Sequence, residues 1–290
     1  MNIDRKIHEY LEHSKLNKKI GSYEYDKSKI YHFKKWLDSN RGFTELEQID
    51  IGTINDYLFH LKKTYVNNTI NKHLKVLKLF YKTINYEFEE LQSIKNLKER
   101  KVSFEMIDFE LLQPMTEYVL SLDDDLGNNL LYKGIFCLLV DTGARISEIL
   151  AIEKSNINMK HHSILLKATK NSDERYVFFT DGLSGSIIKK ILAKNTKGKY
   201  LLHDYIKNTN ATYGQAKYFI SNQLRNQFDL QKLHPHMFRH TMATYWLEHG
   251  ADIHFVQKIL GHRNIKSTLI YTHTSFNHRR DIYATVSFKY

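Results

Sequence analysis

Proline is nearly absent from this chain of 290 residues, and that scarcity limits the possible folds more than any other feature. Only Pro114 and Pro235 occur, and most of the twelve glycines stand where predicted elements end. Proline breaks helix interiors and glycine weakens them, so such sparse punctuation favours long helices. The sequence therefore predicts a mainly α-helical protein.

The clearest early helix covers residues 67–86. Apolar residues recur there at helical spacing and form one face: Ile70, Leu74, Leu77 and Tyr81. Lysines occupy much of the remaining surface: Lys72, Lys75, Lys78 and Lys82. Such a helix can bury its apolar stripe and lay its lysines along phosphates. A solvated lysine face explains any single one of them equally well.

Two domains are predicted. Residues 22–39 and 53–65 also have helical patterns and complete an N-terminal bundle. Around 92–107 the periodicity fades and charge rises, which indicates a linker. We place the first domain at 1–98, the linker at 99–103 and the second domain at 104–290.

The second domain combines helices with a short β-hairpin. Helical patterns resume in four segments: 108–121, 128–141, 183–194 and 211–226. Between His161 and Thr180, two short apolar runs flank a polar turn, which is typical of a hairpin. Pro235 can open a later helix that Gly250 stops, and Asp252 can cap another that ends before Gly261. The expected fold class is mainly α with a small β-sheet, in which the second domain is mixed α/β.

The charge balance favours a polyanionic partner. Lys and Arg number 43 against 32 Asp and Glu, a net charge of +11, and the excess is divided between both halves of the chain. A distributed basic field suits a protein that wraps nucleic acid. A basic protein without such a partner is the alternative that charge alone leaves open.

Several classes of protein are disfavoured. No apolar run approaches the roughly 20 residues of a membrane span, and we expect no secretion signal and no membrane partner. Cys137 is the only cysteine, so a disulfide framework is excluded and a reducing cytoplasm is expected. His234, His236 and His240 invite a metal site, but no acidic or cysteine ligand stands at suitable spacing. We therefore expect no metal.

Four features each have an ordinary structural explanation when taken singly. Asp141-Thr-Gly-Ala-Arg145-Ile-Ser-Glu148 places an arginine after a glycine turn, and Lys170 precedes the hairpin turn. His236-Met-Phe-Arg239-His240 puts a histidine and an arginine on one helix face. Leu260-Gly-His262 is followed nine residues later by Tyr271.

In this order, the four features resemble the active-site signature of the tyrosine recombinases, or phage integrase family. That family carries Thr-Gly-x-Arg-x-Ser-Glu, a hairpin lysine, His-x-x-Arg-His, Leu-Gly-His and a later tyrosine. The stretch from Thr69 to Tyr81 also resembles the DNA-facing helix of the family's core-binding domain. The resemblance implies a helical core-binding domain and a catalytic domain that together form a C-shaped DNA clamp.

The resemblance also implies roles for individual residues. Tyr271 would be the nucleophile that joins a 3′ phosphate and releases a 5′ hydroxyl. Arg145 and Arg239 would hold the nonbridging oxygens. The remaining assignments are Lys170 as general acid, His236 as base or phosphate contact, His262 as phosphate contact, Glu148 as support for His236 or Arg145, and Lys72, Lys75, Lys78 and Lys82 as DNA-binding residues.

The hairpin lysine departs most from the family pattern. The family has Gly-Lys-Gly-x-Lys-x-Arg, whereas this chain has Thr169-Lys-Asn-Ser-Asp-Glu-Arg175. Lys167 competes for the role, but counting back from Arg175 favours Lys170.

The resemblance implies no cofactor, double-stranded DNA as substrate, a homotetramer on two duplexes and an accessory DNA-bending or directionality protein. The protein would act at the nucleoid, or in the host cytoplasm if it is encoded by a phage. The diverged N-terminal half and C-terminal segment favour integration and excision of a phage or mobile element. The compact length also fits Xer-type resolution of replicon dimers. A type IB topoisomerase and a non-catalytic DNA-binding protein on the same scaffold are further alternatives.

Overall fold

A computed structural model divides the chain into two compact units, residues 1–102 and 103–290. It describes residues 1–98, 105–168, 173–195 and 198–271. The predicted domain limits, 1–98 and 104–290, stay a prediction, and the 99–103 linker lies outside the described residues.

The first unit is a helical bundle. Its helices are α1 (Ile3–Asn17), α2 (Ile20–Asn40), α3 (Ile51–Lys62), α4 (Asn67–Thr83) and α5 (Glu89–Ser93). The helices predicted from the sequence correspond to α2, α3 and α4, whereas α1 was not predicted. The side chain of Asn2 caps α1, and Ile3, Ile7 and Tyr10 are buried along its inner face.

Residues 97 and 98, near the end of the first unit, are hydrogen-bonded to α4. The apolar face predicted for this helix is buried, with Ile70 and Tyr81 at most 1% exposed. Asn71 makes two hydrogen bonds to Leu97: its Oδ1 accepts from the backbone N–H at 2.8 Å, and its Nδ2 donates to the carbonyl at 2.9 Å. Asn67 donates to the carbonyl of Lys98 at 2.8 Å. The chain from 94 to 98, where the helical periodicity of the sequence fades, is thus held by side chains of α4.

The second unit is built around α7, which is buried on nearly all sides. Leu131, Ile135, Phe136 and Leu139 of this helix are fully enclosed. Neighbouring helices surround it because it is apolar all round rather than along one stripe. The helices of this unit are α6 (Phe109–Ser121), α7 (Asn129–Thr142), α8 (Ile146–Leu150), α9 (Ser186–Lys194), α10 (Tyr213–Tyr218), α11 (Arg225–Gln227), α12 (Pro235–Glu248), α13 (Ile253–Leu260) and α14 (Lys266–Leu269).

The predicted hairpin is confirmed within a three-stranded antiparallel sheet. The strands are β1 (Ile157–Asn158), β2 (Ser163–Leu166) and β3 (Arg175–Phe178), in the order β1-β2-β3. Leu166 pairs with Arg175, so the hairpin turn follows directly, and residues 169–172 within it lie outside the described part of the chain. A second pair, β4 (His203–Asp204) and β5 (Thr209–Asn210), is also antiparallel. The mainly α fold class with a small sheet is confirmed.

Two helices of the second unit begin or end at the proline, aspartate and glycine residues predicted from the sequence. Pro235 is the first residue of α12, and the carboxylate of Asp252 accepts from the backbone N–H groups of His254 and Phe255 to cap α13. Gly261 ends α13 in the left-handed region, with φ of 67°. Within the described ranges, no helix is long and apolar enough to cross a membrane.

Candidate active site

The site begins where α7 ends. Gly143 terminates this helix in the left-handed region, with φ of 57°, and a Cβ there would lie 2.9 Å from Trp246 Cη2. The turn delivers Arg145 to the N-cap of α8. Its guanidinium Nη1 donates to Glu148 Oε1 at 3.0 Å, and its backbone N–H donates to Glu148 Oε2 at 2.9 Å. One turn of helix therefore fixes both ends of Arg145.

Glu148 holds a second arginine that the sequence analysis used only to align the hairpin. Arg175, at the start of β3, donates from Nη2 to Glu148 Oε2 at 2.8 Å and from Nη1 to Glu148 Oε1 at 3.1 Å. The Glu148 side chain is 1% exposed and that of Arg175 is 8% exposed. Arg175 Nε also donates to the carbonyl of Ile259 at 2.6 Å. This arginine thereby ties the hairpin to α8 and to the end of α13.

Arg239 of α12 is buried between two helix ends. It donates from Nη1 to the carbonyl of Gly143 at 3.1 Å and from Nη2 to the carbonyl of Leu260 at 2.6 Å. Burial, together with the charge of Arg145, lowers the pKa of Arg239 to about 9, so the guanidinium is still protonated at neutral pH. The carboxyl-terminal ends of α7 and α13 carry partial negative charge, which offsets part of the cost of burying this cation.

His262 follows Gly261 at the end of α13. A Cβ at Gly261 would lie 2.8 Å from Arg175 Nη1, so this position has no room for a side chain. His262 Nδ1 lies 2.9 Å from Thr268 Oγ1 of α14, a hydrogen bond that fixes the ring. Burial and the charges of Arg239 and Arg145 lower the pKa of His262 to about 4, which makes it a neutral imidazole at neutral pH.

Tyr271 is 3% exposed and packs against a small cluster that includes Ala243, Val256 and Leu260. Its ring stacks on His262, with centroids 6.2 Å apart. Its hydroxyl lies 2.8 Å from Nδ1 of His240. Burial raises the pKa of Tyr271, while the charges of Arg239 and Arg145 act in the opposite direction.

The structure thus brings together five of the predicted site residues: Arg145, Glu148, Arg239, His262 and Tyr271. His236, one turn before His240 on α12, is exposed, and the two rings have centroids 6.3 Å apart. Glu148 contacts Arg145, one of the two partners predicted for it. Lys170 lies outside the described residues. Its competitor Lys167 makes an ion pair with Glu153 at 2.7 Å.

The predicted DNA-binding lysines lie on α4 of the first unit. Lys72, Lys75 and Lys82 are exposed. Lys78 instead donates to the chain's own backbone, at 2.9 Å to the carbonyl of Gln92 and 2.6 Å to that of Ile94. In the part of the chain that the structure describes, no three His, Cys, Asp or Glu side chains are grouped for a metal ion.

Comparison with known proteins adds to this geometry. Residues 119–278 match the phage integrase family and residues 5–86 match the phage integrase SAM-like domain. A probable integrase/recombinase of Acholeplasma phage L2 is 28% identical, with 93% of each chain covered. Tyrosine recombinase XerC of Staphylococcus aureus is 30% identical over 78% of this chain and 76% of that protein.

The fold is also that of a solved recombinase. The XerH site-specific recombinase bound to its difH substrate superposes with a TM-score of 0.73 at 20% identity, covering 92% of this chain and 80% of that one. The match to the family over more than half of the chain shows that this protein belongs to the phage integrase family, the tyrosine recombinases, which cleave and rejoin DNA.

Proposed function

We propose that this protein is a site-specific recombinase that joins Tyr271 to a 3′ phosphate of double-stranded DNA, and that it integrates and excises a phage or mobile element. The observation that carries the proposal is the grouping of Tyr271 with two fixed arginines and two neutral imidazoles in one corner of the second unit. A phosphotyrosyl bond stores the energy of the broken phosphodiester, so rejoining needs no external energy source.

The two arginines suit the transition state of phosphoryl transfer. Arg145 and Arg239 are held by Glu148 and by two backbone carbonyls, so their orientation is set before DNA binds. Each guanidinium is planar and can donate two parallel hydrogen bonds to nonbridging oxygens. A preorganised donor of this kind is worth about 10²–10³ in rate. In this proposal the arginines supply the positive charge and no cofactor takes part.

The assignment of Lys170 as general acid is supported by the ion pair that the alternative lysine, Lys167, makes. Lys167 is paired with Glu153, and Glu153 also lies 3.2 Å from Lys199. We therefore assign the general acid to Lys170, which protonates the departing 5′ oxygen. His262 donates to a nonbridging oxygen through the ring nitrogen that does not face Thr268.

The exposed lysines of α4 are assigned to the DNA backbone. Lys72, Lys75 and Lys82 contact phosphates, and binding is strongly salt-dependent as a result. Lys78 braces the segment after α5 through its two carbonyl contacts. The active assembly is a homotetramer on two DNA duplexes. An accessory DNA-bending or directionality protein takes part. The protomers exchange their C-terminal segment, residues 274–290.

The second candidate role is Xer-type resolution of replicon dimers. It is supported by tyrosine recombinase XerC of Listeria innocua, which is 28% identical with 97% of this chain and 96% of that protein covered. The positions of cleaved sites in the genome separate the two roles. Junctions at the ends of a mobile element support integration, whereas junctions at a site of the replicon itself, outside any mobile element, support resolution.

Replacing the nucleophile is the first test. We expect Tyr271→Phe to bind DNA normally yet form no covalent adduct in cells, because only the attacking oxygen is removed. The measurement is recovery of SDS-resistant protein–DNA complexes and sequencing of the attached DNA, which also supplies the site for later assays. Tyr245→Phe, a change in the same unit, keeps the adduct. Complexes that persist in Tyr271→Phe contradict the proposal.

Removing the charge of Glu148 tests how Arg145 is oriented. We expect Glu148→Gln to slow single-turnover cleavage about 10²-fold, because a misplaced donor loses most of its contribution. It also leaves Arg175 buried without a counter-charge, which costs about 3–5 kcal/mol in the free energy of unfolding. Lys167→Gln, which breaks an exposed ion pair, costs less than about 1 kcal/mol. Wild-type cleavage by Glu148→Gln argues against this role.

The leaving group tests the general acid. An alkoxide needs a proton to depart, whereas a thiol such as cysteine ionises near pH 8.5, so a thiolate leaves unaided. We expect Lys170→Ala to cleave ordinary DNA slowly and to recover on DNA whose 5′ bridging oxygen is replaced by sulfur. Arg239→Ala stays slow on both substrates. If Lys167→Ala is the variant that recovers, then Lys167 is the acid.

A further inference from the structure

His240 is in contact with the reacting atom. Its Nδ1 lies 2.8 Å from the hydroxyl oxygen of Tyr271, and the two rings have centroids 5.5 Å apart. His240 is part of the His-x-x-Arg-His motif but has no role predicted from the sequence, whereas His236 was predicted as base or phosphate contact. His236 and His262 are placed differently: the first is exposed, and the second bonds Thr268 through Nδ1 and stacks on the tyrosine ring.

The ionisation states fix the direction of this hydrogen bond. Burial, with the nearby His236 and Arg239, lowers the pKa of His240 to about 4, so the ring is neutral at neutral pH. Burial raises the pKa of Tyr271, so its hydroxyl keeps its proton. A protonated phenol is the better donor, and it donates to Nδ1 when the His240 proton is on Nε2.

The nearby arginines also make the transfer of the Tyr271 proton to His240 sensitive to bound DNA. The positive charges of Arg239 and Arg145 lie close enough to affect both His262 and Tyr271. A DNA phosphate bound to these arginines offsets their charge, and the pKa of His240 rises when it does so. The bound phosphate thus removes one of the causes that lower the pKa of His240, the charge of Arg239, while burial, the largest cause, remains.

We propose that His240 is the general base that takes the proton of Tyr271 during DNA cleavage. This inference rests on Tyr271 being the nucleophile. As the tyrosine oxygen bonds to phosphorus, its proton passes to His240 Nδ1, the bond from phosphorus to the 5′ oxygen breaks, and that oxygen receives a proton from the general acid. In rejoining, the 5′ hydroxyl gives its proton back to the general acid as it attacks phosphorus, the bond from phosphorus to the tyrosine oxygen breaks, and His240 returns the proton to that oxygen.

A matched set of variants tests this role. His240→Asn keeps a hydrogen-bond acceptor near the position of Nδ1 but cannot take a proton, so it separates holding the tyrosine from activating it. The control is His249→Asn: His249 is exposed at the end of α12, and its Nδ1 lies 2.7 Å from the carbonyl of Tyr245. Single-turnover adduct formation and DNA binding are measured on the cleaved site recovered from cells.

We expect His240→Asn to form adduct about 10²–10⁴-fold more slowly at neutral pH, the range typical of a general base, with DNA binding unchanged. His249→Asn reacts like the wild type. Added imidazole restores adduct formation by His240→Ala, because it fills the space of the lost ring and accepts the proton.

The pH profile gives a readout that a purely structural role does not change. Ionisable groups facing the ring are His234, His236 and Arg239 from the same helix end, His262 after α13 and Tyr271 after α14. In the wild type, the rate rises with pH through one ionisation and levels off. In His240→Asn, that ionisation is lost and the rate keeps rising, because hydroxide takes the proton.

Two results overturn the inference: wild-type cleavage by His240→Asn, or imidazole rescue of His236→Ala and not of His240→Ala. The proposed function fails separately. If Tyr271→Phe abolishes the adduct while His240→Asn cleaves normally, only the base has been assigned wrongly.

Discussion

The site depends on the pairing of Glu148 with two arginines. Its carboxylate lies between two guanidinium groups and is almost fully removed from solvent. It takes hydrogen bonds from Arg145 and Arg175 and from one backbone N–H. A buried carboxylate is costly alone, but four donated hydrogen bonds and two positive charges compensate this cost. Because Arg175 also bonds the end of α13, this one carboxylate connects three separate elements of the second unit.

The charge of the cluster then explains why the site suits a phosphate. Glu148 neutralises one of the two arginines that it contacts, and the two hydrogen bonds of Arg239 go to neutral carbonyls. The cluster of Arg145, Arg175 and Arg239 around Glu148 is therefore left with excess positive charge in a partly desolvated place. A DNA phosphate supplies the missing negative charge, and the neutral imidazoles of His240 and His262 can receive or donate protons beside it.

Helix ends were well predicted from the sequence, because caps are encoded by a few adjacent residues. Pro235, Asp252 and Gly261 act as the sequence indicated, and the periodicity of α4 predicted its buried face. Helix α1 was not predicted, although the cap residue Asn2 and the helical spacing of Ile3, Ile7 and Tyr10 indicate it. The sequence motifs predicted most of the site, since five of the residues that they singled out lie together in the structure.

Pairings between distant segments were beyond the sequence. Arg175 and Glu148 are 27 positions apart, and His240 and Tyr271 are 31 apart, so no local pattern relates them. Lys78 lies on the same helix as exposed lysines, and the sequence does not distinguish it from them. Its ammonium group nevertheless donates to the carbonyls of Gln92 and Ile94, in a segment whose sequence lacks helical periodicity. Such contacts depend on how elements pack, and only the three-dimensional structure reveals them.

The central claim is that Tyr271, placed against His240 and close enough to Arg239 and Arg145 to feel their charges, forms the covalent bond to DNA. The most direct measurement is mass spectrometry of the peptide that stays attached to DNA after covalent complexes are recovered from cells and digested. The account predicts that the peptide contains Tyr271 and that its hydroxyl is joined to a 3′ phosphate. A complex attached through another residue, or through a 5′ phosphate, would contradict it.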